Sequence, residues 1–322
     1  MYRLFCTVAL VATLTLPPLV AAATAPKEKK QRAARPEPAG PPDHSDLRYG
    51  PHVRNVMDLW LANNSKPTPL VIFIHGGGFR QGDKSTVPAV FVQLCRERGI
   101  SVASLNYRLS AQAPYPAQML DCARAVQWLR HRAKEYHLDP AAFGATGGSA
   151  GAAISLWLAF HDDLADAQSS DPVARQSTRL RAVVTAEGQT TLDPRVIAKI
   201  VNEETARFPS LPPFYGLAEN EDVLTTTRAF PVYEASSAAT HVTRDDPPVL
   251  LFYRRPTAKP APSDTMTGIH HANFGFYLKQ KMDALGLSCI VRTPDDYPDG
   301  NVEARRERET VEFFVRHLSS RH

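Results

Sequence analysis

The apolar stretch Phe143–Gly147 runs straight into Gly147-Gly148-Ser149-Ala150-Gly151 and then into Ala150–Phe160, a segment that is apolar almost throughout. A strand that must turn into a buried helix within a few residues needs a turn nearly free of side chains, and the three glycines supply it. In that setting G-x-S-x-G lifts a serine hydroxyl clear of the backbone. The first turn of the following helix aims N–H groups at any negative charge that develops there. Ser149 is therefore read as a nucleophile, with the N–H of Ala150 beside it.

The rest of the chain repeats the alternation. Apolar strands are predicted at 53–61, 70–75, 100–105, 180–186, 248–253 and 287–292, and helices at 87–98, 117–133, 274–285 and 303–318. Several of the strands are apolar on both faces, which requires a mostly parallel sheet with helices on both sides. A second glycine run, His75-Gly76-Gly77-Gly78-Phe79, closes the strand at 70–75. Its N–H groups can point into a cleft and hold an oxyanion together with that of Ala150. His75 is read as a residue that orients this loop. A phosphate-binding loop does not fit, because no Lys-Ser/Thr follows at Walker spacing and G-x-G-x-x-G is absent. Residues 188–246 break the rhythm and form a lid-like insertion over one sheet edge. Within it, Phe208, Phe214, Tyr215, Phe230 and Tyr233 offer more aromatic surface than a loop needs. Residues 202–240 are therefore expected to line or cover an acyl pocket, with Phe214 and Tyr215 touching substrate. The competing expectation is a satellite core inside the insertion.

Hydrophobic residues make up 43% of the 322 and charged residues 22%, which excludes a disordered chain. Lys and Arg number 37 against 33 Asp and Glu, with no concentrated basic face, so nucleic acid is not expected as a partner. The first residues carry Arg3, an apolar run from Leu4 to Leu16, a Pro17-Pro18 break and the small residues Ala21–Ala23. This is the layout of a signal peptide over residues 1–23, and the run is short of the ~20 residues that span a bilayer. A secreted or periplasmic protein beginning near Thr24 is expected, with no membrane span left after cleavage. Residues 24–46 are Pro-, Lys- and Ala-rich without apolar periodicity and read as a disordered linker, leaving 47–322 as the folded domain. Beyond the leader, Cys95, Cys122 and Cys289 fall in apolar patterns and read as buried small hydrophobes. No pair has metal-ligand spacing, and neither a metal nor a cofactor is expected.

The stretches VIFIHGGGFRQGDKS (71–85), VASLNYRLS (102–110), LDPAAFGATGGSAGAAISL (138–156) and DDPPVLLF (245–252) carry a family resemblance. The chain resembles the α/β-hydrolase fold in its hormone-sensitive-lipase-like branch, and most of all bacterial esterases related to bifunctional feruloyl and acetyl-xylan esterases. The resemblance implies a serine esterase acting on short-chain or carbohydrate-linked acyl esters. Ser149 would be the nucleophile and Gly77, Gly78 and Ala150 the oxyanion hole. Asn106-Tyr107-Arg108 and Asp121 would be framework residues beside the site. The acid and the base depart from the pattern. Asp264 is the only carboxylate between the strand at 248–253 and the helix at 274–285, and is taken as the acid, with Glu187 behind it. The loop after the last strand, where the family keeps its histidine, has none. His270 and His271 remain: one of them could serve as a relocated base, or both could pack beside the apolar stripe of the next helix, and packing is the preferred reading of the two. The alternative function is a catalytically impaired hydrolase fold that binds a ligand or partner.

Overall fold

The computed structural model describes Met1 and residues 40–255, 257–297 and 302–319, with the side chains of 302–304 excepted. Contacts divide the chain into two units, Met1–Arg35 and Pro36–His322, and the sheet, its helices and the candidate site all belong to the second. The expected signal peptide and most of the expected linker lie outside the described residues.

Eight strands form one sheet in the order β1-β2-β4-β3-β5-β6-β7-β8. They are β1 (His44–Arg48), β2 (Val56–Trp60), β3 (Thr68–Ile74), β4 (Ser101–Leu105), β5 (Leu138–Gly148), β6 (Ala182–Ala186), β7 (Val249–Phe252) and β8 (Cys289–Arg292). From β4 through β3 to β8 every pairing is parallel; β1 and β2 join antiparallel at one edge. β1 corrects the linker expectation, because it begins at His44, within the residues read as linker. Its sequence, HSDLR, is mostly polar and exposed, so no apolar pattern announces it.

The parallel strands bury both faces, and their side chains alternate between two cores. Leu70, Ile72 and Ile74 of β3 enter the larger core, as do Val249 and Leu251 of β7. Val71 of β3 and Leu250 and Phe252 of β7 enter the smaller one, with Phe73 packed against it. Each such side chain stabilises the fold by about 1.5–3 kcal/mol on burial. Helices α2 (Ala117–His131) and α3 (Ala150–Phe160) cover the larger core, and α1 (Ala89–Glu97) and α10 (Val302–Leu318) the smaller. The three described cysteines are buried and unpaired, as their apolar settings imply.

Residues 188–246 hold four short helices, α4 (Pro194–Ile200), α5 (Glu203–Ala206), α6 (Leu211–Tyr215) and α7 (Phe230–Ser236). Its aromatics mostly turn inward. Phe214 is fully buried, its ring stacked on Phe79 with centroids 4.2 Å apart. The buried Tyr215 hydroxyl donates to the Leu192 carbonyl, and the Tyr215 ring lies against Tyr233. Phe214, Tyr215 and Tyr233 are thus core residues, but they join the larger core of the domain and do not form a separate satellite core inside the insertion. The expectation that Phe214 and Tyr215 touch substrate fails, because the rest of the domain covers them. No helix among the described residues is long and apolar enough to cross a membrane.

Candidate active site

The turn from β5 into α3 is built by close backbone contact. A Cβ on Gly151 would lie 2.0 Å from the Ile74 carbonyl oxygen, and one on Gly147 would lie 2.5 Å from the same atom. Any side chain at either position would drive α3 and β3 apart. Ser149, at the apex, has φ 53° and ψ −120°, a conformation that non-glycine residues seldom adopt. Its N–H donates to the Ala186 carbonyl at 3.0 Å and its carbonyl accepts from Ala153 N–H at 3.0 Å, so both neighbours hold the strained residue in place.

The glycine loop after β3 is held as firmly. Gly77 has φ +112°, and a Cβ there would meet the Gln81 carbonyl oxygen at 2.2 Å. His75 donates from Nδ1 to the Gly76 carbonyl at 2.8 Å, accepts at Nε2 from Arg54 Nη2 at 3.2 Å and stacks on Tyr107. Arg54 also donates to the carbonyls of Tyr107 and Gly82. Arg108 grips Asp121 with Nε and Nη2 at 2.9 and 2.6 Å. His75, Asn106-Tyr107-Arg108 and Asp121 thus occupy framework positions, and Arg54, which no sequence motif marked, ties His75 to Asn106 and Tyr107.

The histidine beside Ser149 is His270. It follows the short helix α8 (Thr265–Ile269) that precedes α9 (Asn273–Ala284), and its Nε2 lies 2.9 Å from Ser149 Oγ. Its Nδ1 lies 2.9 Å from the Met266 carbonyl oxygen. A carbonyl can only accept, so Nδ1 carries the hydrogen, and Nε2 is left as the acceptor for the serine hydroxyl. Gly268 permits this placement: its Cα packs so close to α5 that a Cβ would fall 2.0 Å from Thr205 Oγ1. The expectation that both histidines pack beside the next helix fails for His270, which stands at Ser149 Oγ, and holds for His271. The latter is buried, with Nε2 on the Ala258 carbonyl at 3.1 Å and Nδ1 accepting from Asn273 N–H at 3.2 Å.

Asp264 does not orient the base. It is exposed and caps α8, accepting from Thr267 N–H at 3.0 Å. Hydrogen bonds from Thr267 lower its pKa, as a helix cap requires. The loop beyond β7 ends in an N-cap, so the acid expectation fails there. Glu187, in a left-handed conformation just after β6, is buried and takes Arg254 as its hydrogen-bonded partner. Arg255 Nε stands 3.7 Å from the other carboxylate oxygen, which accepts no hydrogen bond. Glu187 lies near enough to His270 to act on its charge, but the Nδ1 partner is Met266. The orienting group is therefore a main-chain carbonyl, which has no signature in a sequence.

The pKa of His270 is lowered, first by burial; the Met266 hydrogen bond and the Glu187 charge raise it, and Arg255 and Arg254 lower it further. Protonation of Nε2 removes the acceptor, so any reaction that needs this base is lost as pH falls through a value below the ordinary imidazole pKa of about 6.5. Glu187→Gln removes a raising influence and is expected to move the acid limb of kcat/KM to lower pH. A limb that moves upward or stays put in this variant would contradict the electrostatic account.

Ser149 lines two cavities. One, of about 750 Å³, is bounded by Gly77, Gly78, Phe208, Ser210, Met266 and His270. The other, of about 380 Å³, runs toward Phe73, Phe91, Val184 and Phe252 on the face covered by α1 and α10. Phe208 is the one aromatic of the insertion that reaches the cleft.

The BD-FAE family model matches residues 57–255. The esterase LipQ of Mycobacterium tuberculosis is 33% identical over 119 residues, covering 36% of this chain and 28% of the relative. The probable carboxylic ester hydrolase LipM of the same organism is 27% identical over 215 residues, covering 65% of this chain and 47% of the relative. The chain thus spans less than half the length of either. An acetyl ester-xyloside bifunctional hydrolase from Caldicellulosiruptor lactoaceticus superposes with a TM-score of 0.65 at 18% identity, covering 85% of this chain and 96% of that one. At that identity the likeness establishes the α/β-hydrolase fold.

Proposed function

We propose, from the premise that this chain belongs to the BD-FAE family, that it is a secreted serine carboxylic-ester hydrolase acting on short-chain or carbohydrate-linked acyl esters through an acyl-enzyme on Ser149. The observation that carries the reading is the 2.9 Å contact between His270 Nε2 and Ser149 Oγ. It also weighs against a catalytically impaired fold, whose serine would lack a base. Structural neighbours, among them the acetyl ester-xyloside hydrolase and a carbohydrate esterase from gut microbiota, favour acyl groups on sugars. Export rests on residues 1–25 alone.

In the first half-reaction His270 Nε2 takes the Ser149 proton as Oγ attacks the ester carbonyl carbon. The carbonyl oxygen gains the negative charge and is held by the N–H groups of Gly77, Gly78 and Ala150. On collapse the alcohol leaves with the proton from His270. Water then attacks the acyl-enzyme, gives a proton to His270, and the carboxylic acid departs as Oγ recovers its hydrogen. The imidazolium formed in each half is steadied by the Met266 carbonyl dipole and the nearby Glu187 charge. A carbonyl does this less strongly than a hydrogen-bonded carboxylate, so a modest turnover is expected. Purified protein should hydrolyse 4-nitrophenyl acetate with saturation kinetics and release acetate from acetylated xylo-oligosaccharides. No turnover of acetate or butyrate esters at neutral pH would contradict the reading.

A further inference from the structure

Among the described residues, three arginines line the cleft at Ser149 together with one carboxylate. Arg80 follows the glycine loop, Arg254 and Arg255 follow β7, and Glu187 is the one acid among them. Glu187 offsets only one of the three charges. Arg254 hydrogen-bonds one of its oxygens and Arg255 forms a looser ion pair with the other at 3.7 Å, its side chain 42% exposed, so one negative charge is shared by two guanidinium groups. Arg80 is exposed, and its side chain makes no hydrogen bond or ion pair among the described residues. An adjoining cavity of about 660 Å³ also touches Arg80 and carries acids, but two of these have their own cations: Glu221 pairs with Arg228 and Asp222 with Arg207. The third, Glu219, makes no ion pair with Arg80.

Two arginine-bearing loops that are distant in sequence converge on the nucleophile. Solvated arginines scattered over a surface would leave no such excess inside one cleft. Guanidinium groups present paired donors that match a carboxylate and hold it with charge-assisted hydrogen bonds. A neutral acetyl ester of a neutral sugar uses none of this. We infer that the preferred substrate of this site carries a carboxylate, and that Arg80 and Arg255 bind it while the ester lies at Ser149. The inference rests on the hydrolase reading and narrows it to esters of acid-bearing molecules, such as acylated uronic-acid saccharides or half-esters of dicarboxylic acids.

Two matched probe pairs test it, one with the charge on the acyl side and one with the charge on the alcohol side. They are the 4-nitrophenyl half-ester of glutaric acid against 4-nitrophenyl pentanoate, and 4-acetoxybenzoate against 4-acetoxybenzamide. In at least one pair the anionic ester should have the larger kcat/KM, by about tenfold or more at low salt. Its advantage should shrink as NaCl is raised to about 0.5 M, as screening requires. The ratio of anionic to neutral kcat/KM should fall toward one in Arg80→Gln with Arg255→Gln, read in protein whose melting transition shows it folded. Should that variant not fold, the salt dependence in the wild-type protein decides. Equal or faster turnover of the neutral member of both pairs would overturn this inference and leave the hydrolase reading intact. Turnover of none of the four esters would overturn both.

Discussion

His270→Ala is expected to lower kcat/KM on 4-nitrophenyl acetate by about 10²–10⁴-fold, the usual contribution of a placed general base. His271→Ala and Asp264→Asn, assayed in protein shown to be folded, should stay within a few-fold of the wild type. The contrast follows from the bonds each residue makes. His270 Nε2 faces Ser149 Oγ, whereas His271 spends both ring nitrogens on main-chain groups of its own loop. Asp264 spends its carboxylate on the first turn of α8. Asn can still cap α8 through its side-chain oxygen, so Asp264→Asn keeps the segment carrying His270 in place, and an effect of about 10²-fold is not expected from it. A large loss in Asp264→Asn with little in His270→Ala would place the base or its orienting group elsewhere.

The parts of this protein legible from sequence are those that backbone sterics dictate. Gly147 and Gly151 around Ser149, and Gly77 in the loop after β3, stand where a Cβ or an ordinary φ would be refused, so glycine marks them. The parallel strands are equally plain, because side chains that enter cores on both faces must be apolar in succession. β1 is not, because it is a polar edge strand recognised only by the partner it pairs with. The aromatics Phe214 and Tyr215 announce an apolar cluster, but not whether it faces a pocket or the core. That depends on Phe79 and Leu192, which the chain brings to them from afar.

The proton-transfer half of the site is the least legible for a related reason. Which of two adjacent histidines reaches a serine 121 positions away depends on the path of the chain after β7 and on the contact of Gly268 with Thr205. The group that orients His270 is a main-chain carbonyl, and every residue has one. A Ser-Asp pair before a short helix is the signature of a cap, and Asp264 is one. The cleft arginines are visible in the sequence as Arg254-Arg255 and Arg80, but only the fold shows that they meet at one place.

The second large effect concerns Ser149. Its Oγ is the atom that faces the imidazole and would attack the ester carbonyl, whose oxygen the glycine loop would hold. Ser149→Ala should therefore lower kcat on simple esters by about 10⁵–10⁶-fold, leaving what binding and the loop N–H groups contribute alone. The central claim, a covalent intermediate on this residue, is tested most directly by trapping it. The protein is treated with diisopropyl fluorophosphate at neutral pH, digested and mapped by mass spectrometry. The expected result is a single phosphoryl adduct on the peptide containing Gly147-Gly148-Ser149-Ala150-Gly151, formed in step with loss of esterase activity and slowed in His270→Ala. An adduct on another residue that tracks the loss of activity, or undiminished turnover in Ser149→Ala, would contradict the account.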